Sequence, residues 1–257
     1  KIEAIDNYDS KQNIWFEDNL LRVKKNEKYG LIDFNGKTVL ECEYDSINSL
    51  KGVTENIIVE KDGKVGLVNA KGQTIIKTEY TSIQTMKEGY KSEYLVQNAE
   101  GKYGVISTSG TLILEPKYDE IRYLDSNETY AVKLDGSTQL INNKGETLQT
   151  SEGEEYIYAK GDNVIVSKDG KFGLEKTTGE QVIGYDYEEL KYTFSIYYIA
   201  KKDGKYGIIN VNNETVKEFE YSNMYCVEEG NFIVADKTET ETVILDNNLS
   251  QKLSGIV

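Results

Sequence analysis

Apolar residues along this chain come in short alternating or paired runs cut apart by glycine, and no run keeps the 3.6-residue period of an amphipathic helix. One phrase returns through the whole chain: an aromatic or small residue, a glycine or its substitute, two aliphatics and a polar residue. Clear copies are Tyr29-Gly30-Leu31-Ile32-Asp33, Val65-Gly66-Leu67-Val68-Asn69, Tyr103-Gly104-Val105-Ile106-Ser107, Phe172-Gly173-Leu174 and Tyr206-Gly207-Ile208-Ile209-Asn210. Worn copies are Thr138-Gln139-Leu140-Ile141-Asn142 and Thr242-Val243-Ile244-Leu245-Asp246. The second residues, taken as anchors, stand at 30, 66, 104, 139, 173, 207 and 243, at spacings of 36, 38, 35, 34, 34 and 36. Such regularity marks an array of about seven units across residues 1–257.

Other positions keep the same register. Gly63, Gly101, Gly136, Gly170 and Gly204 precede the anchors by three residues, mostly after Asp, and Asp-Gly favours type I′ hairpin turns. Gly36, Gly72, Gly110, Gly145 and Gly179, with Asn213 in the sixth copy, follow by six. Tyr44, Tyr80, Tyr118, Tyr187 and Tyr221 follow by fourteen. Ile47, Ile83, Ile121, Tyr156, Leu190 and Met224 come about three positions later, and Val23, Val59, Val96, Val132, Val166, Ile199 and Val234 run ahead of the anchors. One unit therefore reads as strand, turn, strand, turn, strand and a short fourth apolar piece. The fold class is all-β, a tandem repeat of short antiparallel hairpin units. Each unit is too small to bury its own face, so neighbours must stack.

A seven-bladed β-propeller and an open β-solenoid or superhelical stack both suit such units, and the propeller is the preferred expectation. Tyr8-Asp9-Ser10 matches Tyr44-Asp45-Ser46 one period earlier, so the N-terminal segment is expected to complete the last unit. The chain begins at Lys1 rather than Met, from which removal of an N-terminal segment is expected.

Composition narrows the chemistry. The formal charge is −14, from 44 acidic and 30 basic side chains, which argues against nucleic acid and anionic membrane as partners. There is no histidine, and with it go the commonest general base and the commonest metal ligand. Cys42 and Cys226 form no CxxC pair and occupy different places in the repeat, so neither a metal site nor a bridge between them is expected. No apolar run approaches the roughly 20 residues that span a bilayer, so no membrane insertion is expected.

Glu27-Lys28-Tyr29-Gly30-Leu31-Ile32-Asp33-Phe34-Asn35-Gly36-Lys37, Gly101-Lys102-Tyr103-Gly104-Val105-Ile106 and Glu115-Pro116-Lys117-Tyr118-Asp119-Glu120-Ile121 resemble the WG repeat, or KWG repeat, of bacterial proteins. The family's Trp before Gly is Tyr, Phe, Val or Thr here. The resemblance implies a bacterial repeat protein, often carrying export signals or anchors, with no catalytic residues to carry over. A location outside the cytoplasm, at the bacterial cell surface, is therefore expected.

Several groups invite chemistry. Glu154-Glu155, Glu188-Glu189 and Glu228-Glu229 are carboxylate pairs of the kind that hydrolyse glycosides, but the repeat puts them at solvated edges. Asp62, Asp135, Asp169 and Asp203 hint at calcium, yet one Asp per turn falls short of six converging oxygens. Gly63-Lys64-Val65-Gly66 lacks the helix that a phosphate loop needs. No enzyme activity and no cofactor are expected. What stands out is a crowd of aromatics: Tyr187 and Tyr206 fall on repeat positions, and Tyr156 is grouped with them, whereas Tyr158, Tyr192, Phe194, Tyr197 and Tyr198 are free to form a binding patch. Trp15 is a second candidate. A protein partner is the first expectation and a glycan or cell-wall polymer the second.

Overall fold

A computed structural model describes residues 10–14, 17–50, 56–86, 93–124, 129–151, 153–227 and 232–255. These form seven antiparallel four-stranded sheets and no helix. The first holds β1 (Ser10–Ile14), β2 (Glu17–Lys25), β3 (Lys28–Asp33) and β4 (Thr38–Tyr44). The second holds β5 (Ser46–Ser49), β6 (Asn56–Lys61), β7 (Lys64–Asn69) and β8 (Thr74–Tyr80). In the third are β9 (Ser82–Thr85), β10 (Tyr94–Gln97), β11 (Tyr103–Ile106) and β12 (Leu112–Tyr118). The fourth comprises β13 (Glu120–Tyr123), β14 (Tyr130–Leu134), β15 (Ser137–Ile141) and β16 (Thr147–Ser151). The fifth comprises β17 (Glu154–Lys160), β18 (Asn163–Lys168), β19 (Lys171–Lys176) and β20 (Gln181–Tyr187). The sixth runs β21 (Glu189–Tyr192), β22 (Tyr197–Lys202), β23 (Lys205–Asn210) and β24 (Thr215–Tyr221). The seventh runs β25 (Asn223–Val227), β26 (Phe232–Thr238), β27 (Glu241–Leu245) and β28 (Gln251–Gly255). Each anchor stands on the third strand of its sheet, so the array of units is an array of sheets.

One boundary differs from the expected unit. The short piece around Ile47, Ile83 and Leu190 opens the following sheet instead of closing its own. Accordingly Ser10–Ile14, the counterpart of Ser46–Ser49, pairs with β2 as the first strand of the first sheet. The seventh sheet takes all four strands from Asn223–Gly255. Completion of the last unit by the N-terminal segment is thus not found among the described residues, because the repeat is offset from the sheet by one strand.

The anchor glycine has a steric cause. In the second sheet Val65 lies opposite Tyr80 while Leu67 lies opposite Ile76, so the fourth strand bulges by two residues against Gly66. A Cβ on Gly66 would sit 2.6 Å from the Ile76 carbonyl oxygen. The same register break accompanies Gly30, Gly104, Gly173 and Gly207. Where the anchor is Gln139 or Val243 the pairing around it is regular: Gln139 faces Thr150 and Val243 faces Ser254. Glycine, bulge and terminal tyrosine therefore come as one set. The bulge lengthens the fourth strand so that Tyr44, Tyr80, Tyr118, Tyr187 and Tyr221 reach the residue before the anchor.

The turn after the third strand is closed by a side chain. Asp33 Oδ1 accepts from the backbone N–H groups of Asn35 and Lys37 at 2.9 and 2.8 Å, and Asn69, Asn142, Asn210 and Asp246 repeat the arrangement.

The described residues cluster into two compact units: Lys1–Tyr123 with Lys133–Asp135, and Leu124–Val132 with Gly136–Val257. Within each, the core lies between neighbouring sheets. Leu20, Leu31 and Leu40 of the first sheet meet Ile47, Ile57, Val59 and Val68 of the second. Leu67 and Ile76 of the second meet Ile83, Tyr94, Val96 and Ile106 of the third. In the other unit Ile165, Leu174, Ile183 and Tyr187 of the fifth sheet pack on Leu190, Tyr198, Ala200 and Ile209 of the sixth. Ile199, Ile208 and Tyr221 of the sixth then join Met224, Ile233, Ala235, Val243 and Leu245 of the seventh. This explains the paired aliphatics after the anchor. Successive side chains point to opposite faces, so Leu67 enters one core and Val68 the other. Each fully buried Leu, Ile or Val contributes about 1.5–3 kcal/mol, and a sheet alone would forfeit this on both faces.

Candidate functional site

The second unit carries a cleft of about 590 Å³, floored by Ile157, Ile165, Leu190 and Ile199. Its walls come from the first strands of three consecutive sheets: Tyr158 and Lys160 on β17, Lys191 and Tyr192 on β21, Tyr225 and Cys226 on β25, with Thr193 beyond β21. First strands reach it because β17, β21 and β25 each stand at an edge of their sheets.

Tyr192 is the centre of the arrangement. Tyr158 stacks against it with ring centroids 5.7 Å apart and planes inclined by 16°. Tyr198 meets it edge-on at 5.7 Å and 73°, and the Lys160 ammonium lies 5.7 Å from its ring centroid. Such contacts fix the ring's orientation at a cost of little further entropy on binding. Burial pushes the Tyr192 phenol above its ordinary range and that of Tyr198 up to about 12.

The expected aromatic patch divides into three. Tyr158 and Tyr192 line the cleft. Tyr198, expected as an exposed binder, is only 2% exposed and belongs to the core between the fifth and sixth sheets, because it shares a face of β22 with Ala200. Phe194 and Tyr197 meet edge-to-face at 6.1 Å and pack, half-buried, against the core between the sixth and seventh sheets. Trp15 lies outside the described residues. Sequence reasoning missed Tyr225, which is 49% exposed on the cleft wall, because it follows Met224 by one position and no other copy of the repeat carries an aromatic there. Tyr80, Tyr118, Tyr187 and Tyr221 are buried at the ends of their strands, and Tyr44 is half-buried.

The carboxylates are occupied elsewhere. Asp45 binds Lys28 and accepts from the Asp62 backbone N–H, tying the first sheet to the β6–β7 hairpin of the second, and Asp119 binds Lys102. Within the pairs, Glu188 reaches the Gly204 backbone whereas Glu189 is held by Lys191 and the Tyr206 hydroxyl, each at 2.7 Å. Glu154 binds Lys168 and Ser151 while Glu155 is exposed, and Glu228-Glu229 lies outside the described residues. Hydrogen bonds from Lys28, Lys102 and Lys168 hold Asp45, Asp119 and Glu154 below the usual carboxylate range. Asp62, Asp135, Asp169 and Asp203 sit at positive φ in tight turns, and no group of three or more metal-ligating side chains occurs among the described residues. Cys42 and Cys226 form no disulfide. Among the described residues no helix is long and apolar enough to cross a membrane.

Residues 29–64, 66–90, 103–137 and 206–236 match the family described as WG containing repeat. No curated protein sequence matches the chain. Among solved structures, a eukaryotic initiation factor is similar at TM-score 0.49 and 13% identity, over 93% of this chain and 74% of that one. The computationally designed Ika8 protein is similar at TM-score 0.41 and 14% identity, over 97% and 83%. BamB from Moraxella catarrhalis is similar at TM-score 0.39 and 16% identity, over 84% and 76%. With TM-scores below 0.5, none of these likenesses bears on function.

Proposed function

We propose that this chain, which belongs to the family of proteins built from WG-containing repeats, is a non-catalytic module that holds a protein partner at the bacterial cell envelope. The observation that carries the reading is the cleft walled by Tyr158, Tyr192 and Tyr225. Stiff aromatic side chains that keep one orientation before binding give large contact area at low entropic cost. A non-catalytic role is supported by the carboxylates. Glycoside hydrolysis needs one acid raised towards neutrality beside an ionised partner, whereas Asp45, Asp119 and Glu154 are all displaced downward by bound lysines. The envelope location rests on the habits of the family.

The test is capture of partners from envelope extracts of the source cell by the wild-type chain and by Tyr192→Ala. Recovery of a defined partner by the wild type, and its loss with the variant, is the expected result. Equal recovery by both, or none by the wild type, overturns the reading.

A glycan is the second reading, favoured by the exposure of Tyr225. It is weaker because sugars stack on open ring faces, and Tyr158 already covers Tyr192. Sedimentation with purified peptidoglycan, retained by wild type and lost with Tyr225→Ala, would support it over the first.

A further inference from the structure

We propose that the cleft takes an extended, acidic peptide segment whose carboxylates alternate with apolar side chains; this rests on reading the cleft as the binding surface. The chain as a whole carries −14, yet among the described residues the cleft is lined by Lys160 and Lys191 and by no carboxylate. A local positive site on an acidic protein selects a short anionic ligand while the surrounding field turns away long polyanions such as nucleic acid.

Lys191 is available to a ligand. The Lys191 side chain is 61% exposed, and its partner Glu189 also accepts from the Tyr206 hydroxyl at 2.7 Å and lies 3.6 Å from Lys201. Glu189 therefore keeps other donors when Lys191 turns to a ligand carboxylate. Lys160 lies over Tyr192, which places a charge beside an aromatic wall. The floor of Ile157, Ile165 and Leu190 asks for apolar groups between the charges.

The extended form follows from the edges. β17, β21 and β25 are each the outermost strand on one side of their sheets. The outer side of β17 already gives the Ala159 N–H to the Leu124 carbonyl at 2.9 Å, so β21 and β25 are the edges that offer backbone donors and acceptors, which suits a ligand that is itself a peptide more than a compact anion.

The experiment titrates the purified chain by calorimetry with two synthetic peptides, one alternating Glu and Leu and one alternating Lys and Leu. The Glu–Leu peptide is expected to bind and to weaken with added salt. Combining Lys160→Gln with Lys191→Gln should lower its affinity about fivefold to tenfold, the sum of two part-exposed charge contacts. Equal binding of the Lys–Leu peptide, or unchanged affinity in the double variant with its circular dichroism intact, overturns the proposal. If the double lysine variant still captures the envelope partner while Tyr192→Ala does not, the acidic ligand fails and the binding surface stands. If neither change affects capture, both fail.

Discussion

Gly66 backs onto Ile76 so closely that a methyl group there would lie 2.6 Å from the Ile76 carbonyl oxygen and 2.8 Å from the Thr78 nitrogen. The obstacle is backbone, which cannot swing aside as a side chain can. Gly66→Ala is therefore expected to destabilise the protein by about 3 kcal/mol, the upper range for overpacking. Gln139→Ala, at the anchor where the pairing is regular, should stay within about 1 kcal/mol. Urea unfolding of the two variants compares them, and equal losses would remove the bulge as the reason for glycine.

The hairpin between β2 and β3 carries Asn26 and Glu27 at φ of 51° and 64°, where four other copies have Asp-Gly (Asp62-Gly63, Asp135-Gly136, Asp169-Gly170 and Asp203-Gly204). A left-handed non-glycine residue costs about 1–2 kcal/mol, less the extra entropy glycine loses on folding. The exposed Glu27→Gly change should thus stabilise by about 0.5–1 kcal/mol and raise the melting temperature by roughly 1–3 °C. A drop in melting temperature would contradict the turn argument. Leu249 (φ 59°) is no candidate for the same change, because its side chain is buried between the sixth and seventh sheets.

Those two positions also show what was legible in the sequence. The period, the turns and the stacking of sheets could be read because each follows from local chemistry repeated seven times. The sheet boundary could not, since a periodic sequence reads the same from any starting strand; only hydrogen bonding shows that Ile47 opens a sheet. Leu249 hid the seventh turn, because a core leucine took a place that glycine fills elsewhere. The aromatic crowd was visible, but its division was not. Tyr197 and Tyr198 are adjacent, and the faces of β22 alone put the second in the core. Tyr225 gave no repeat signal at all.

Asp33 holds its turn through the backbone N–H groups of Asn35 and Lys37, and these bonds help keep its carboxyl below the usual range. Asn69, Asn142 and Asn210 do the same work with an amide oxygen. Asp33→Asn should therefore be nearly neutral at pH 7, whereas Asp33→Ala should cost about 1–2 kcal/mol by leaving two donors to solvent. Chemical denaturation of the pair decides, and an equal cost for both would show that charge rather than acceptor geometry matters.

Burial pushes the phenols of Tyr156 and Tyr198 up to about 12. An unfolded tyrosine ionises near pH 10, so between these values the unfolded chain binds fewer protons than the folded one. Stability from these groups is complete below about pH 10 and falls as pH rises towards about 12, by up to about 3 kcal/mol for each tyrosine. Unfolding followed alongside phenolate absorbance tests this: ionisation should appear together with loss of structure. Titration of all tyrosines near pH 10 with the fold intact would refute it.

Tyr192 and Tyr198 touch, yet removing them should have different consequences. Tyr198 is 2% exposed and fills the core between the fifth and sixth sheets, so Tyr198→Ala leaves a cavity and should cost about 3–5 kcal/mol, as for other large aromatics. Tyr192 lines the cleft and is only partly buried, so its truncation should cost about 1–2 kcal/mol of stability while removing the ring that Tyr158 and Lys160 hold in place. Partner affinity should then fall at least tenfold in Tyr192→Ala at a temperature where both variants remain folded, and Tyr198→Phe, which keeps the packing, should bind as wild type. Paired thermal melts and binding isotherms separate the roles. Wild-type affinity in Tyr192→Ala, or a deeper stability loss there than in Tyr198→Ala, would mean that the ring facing the cleft is core and that binding lies elsewhere.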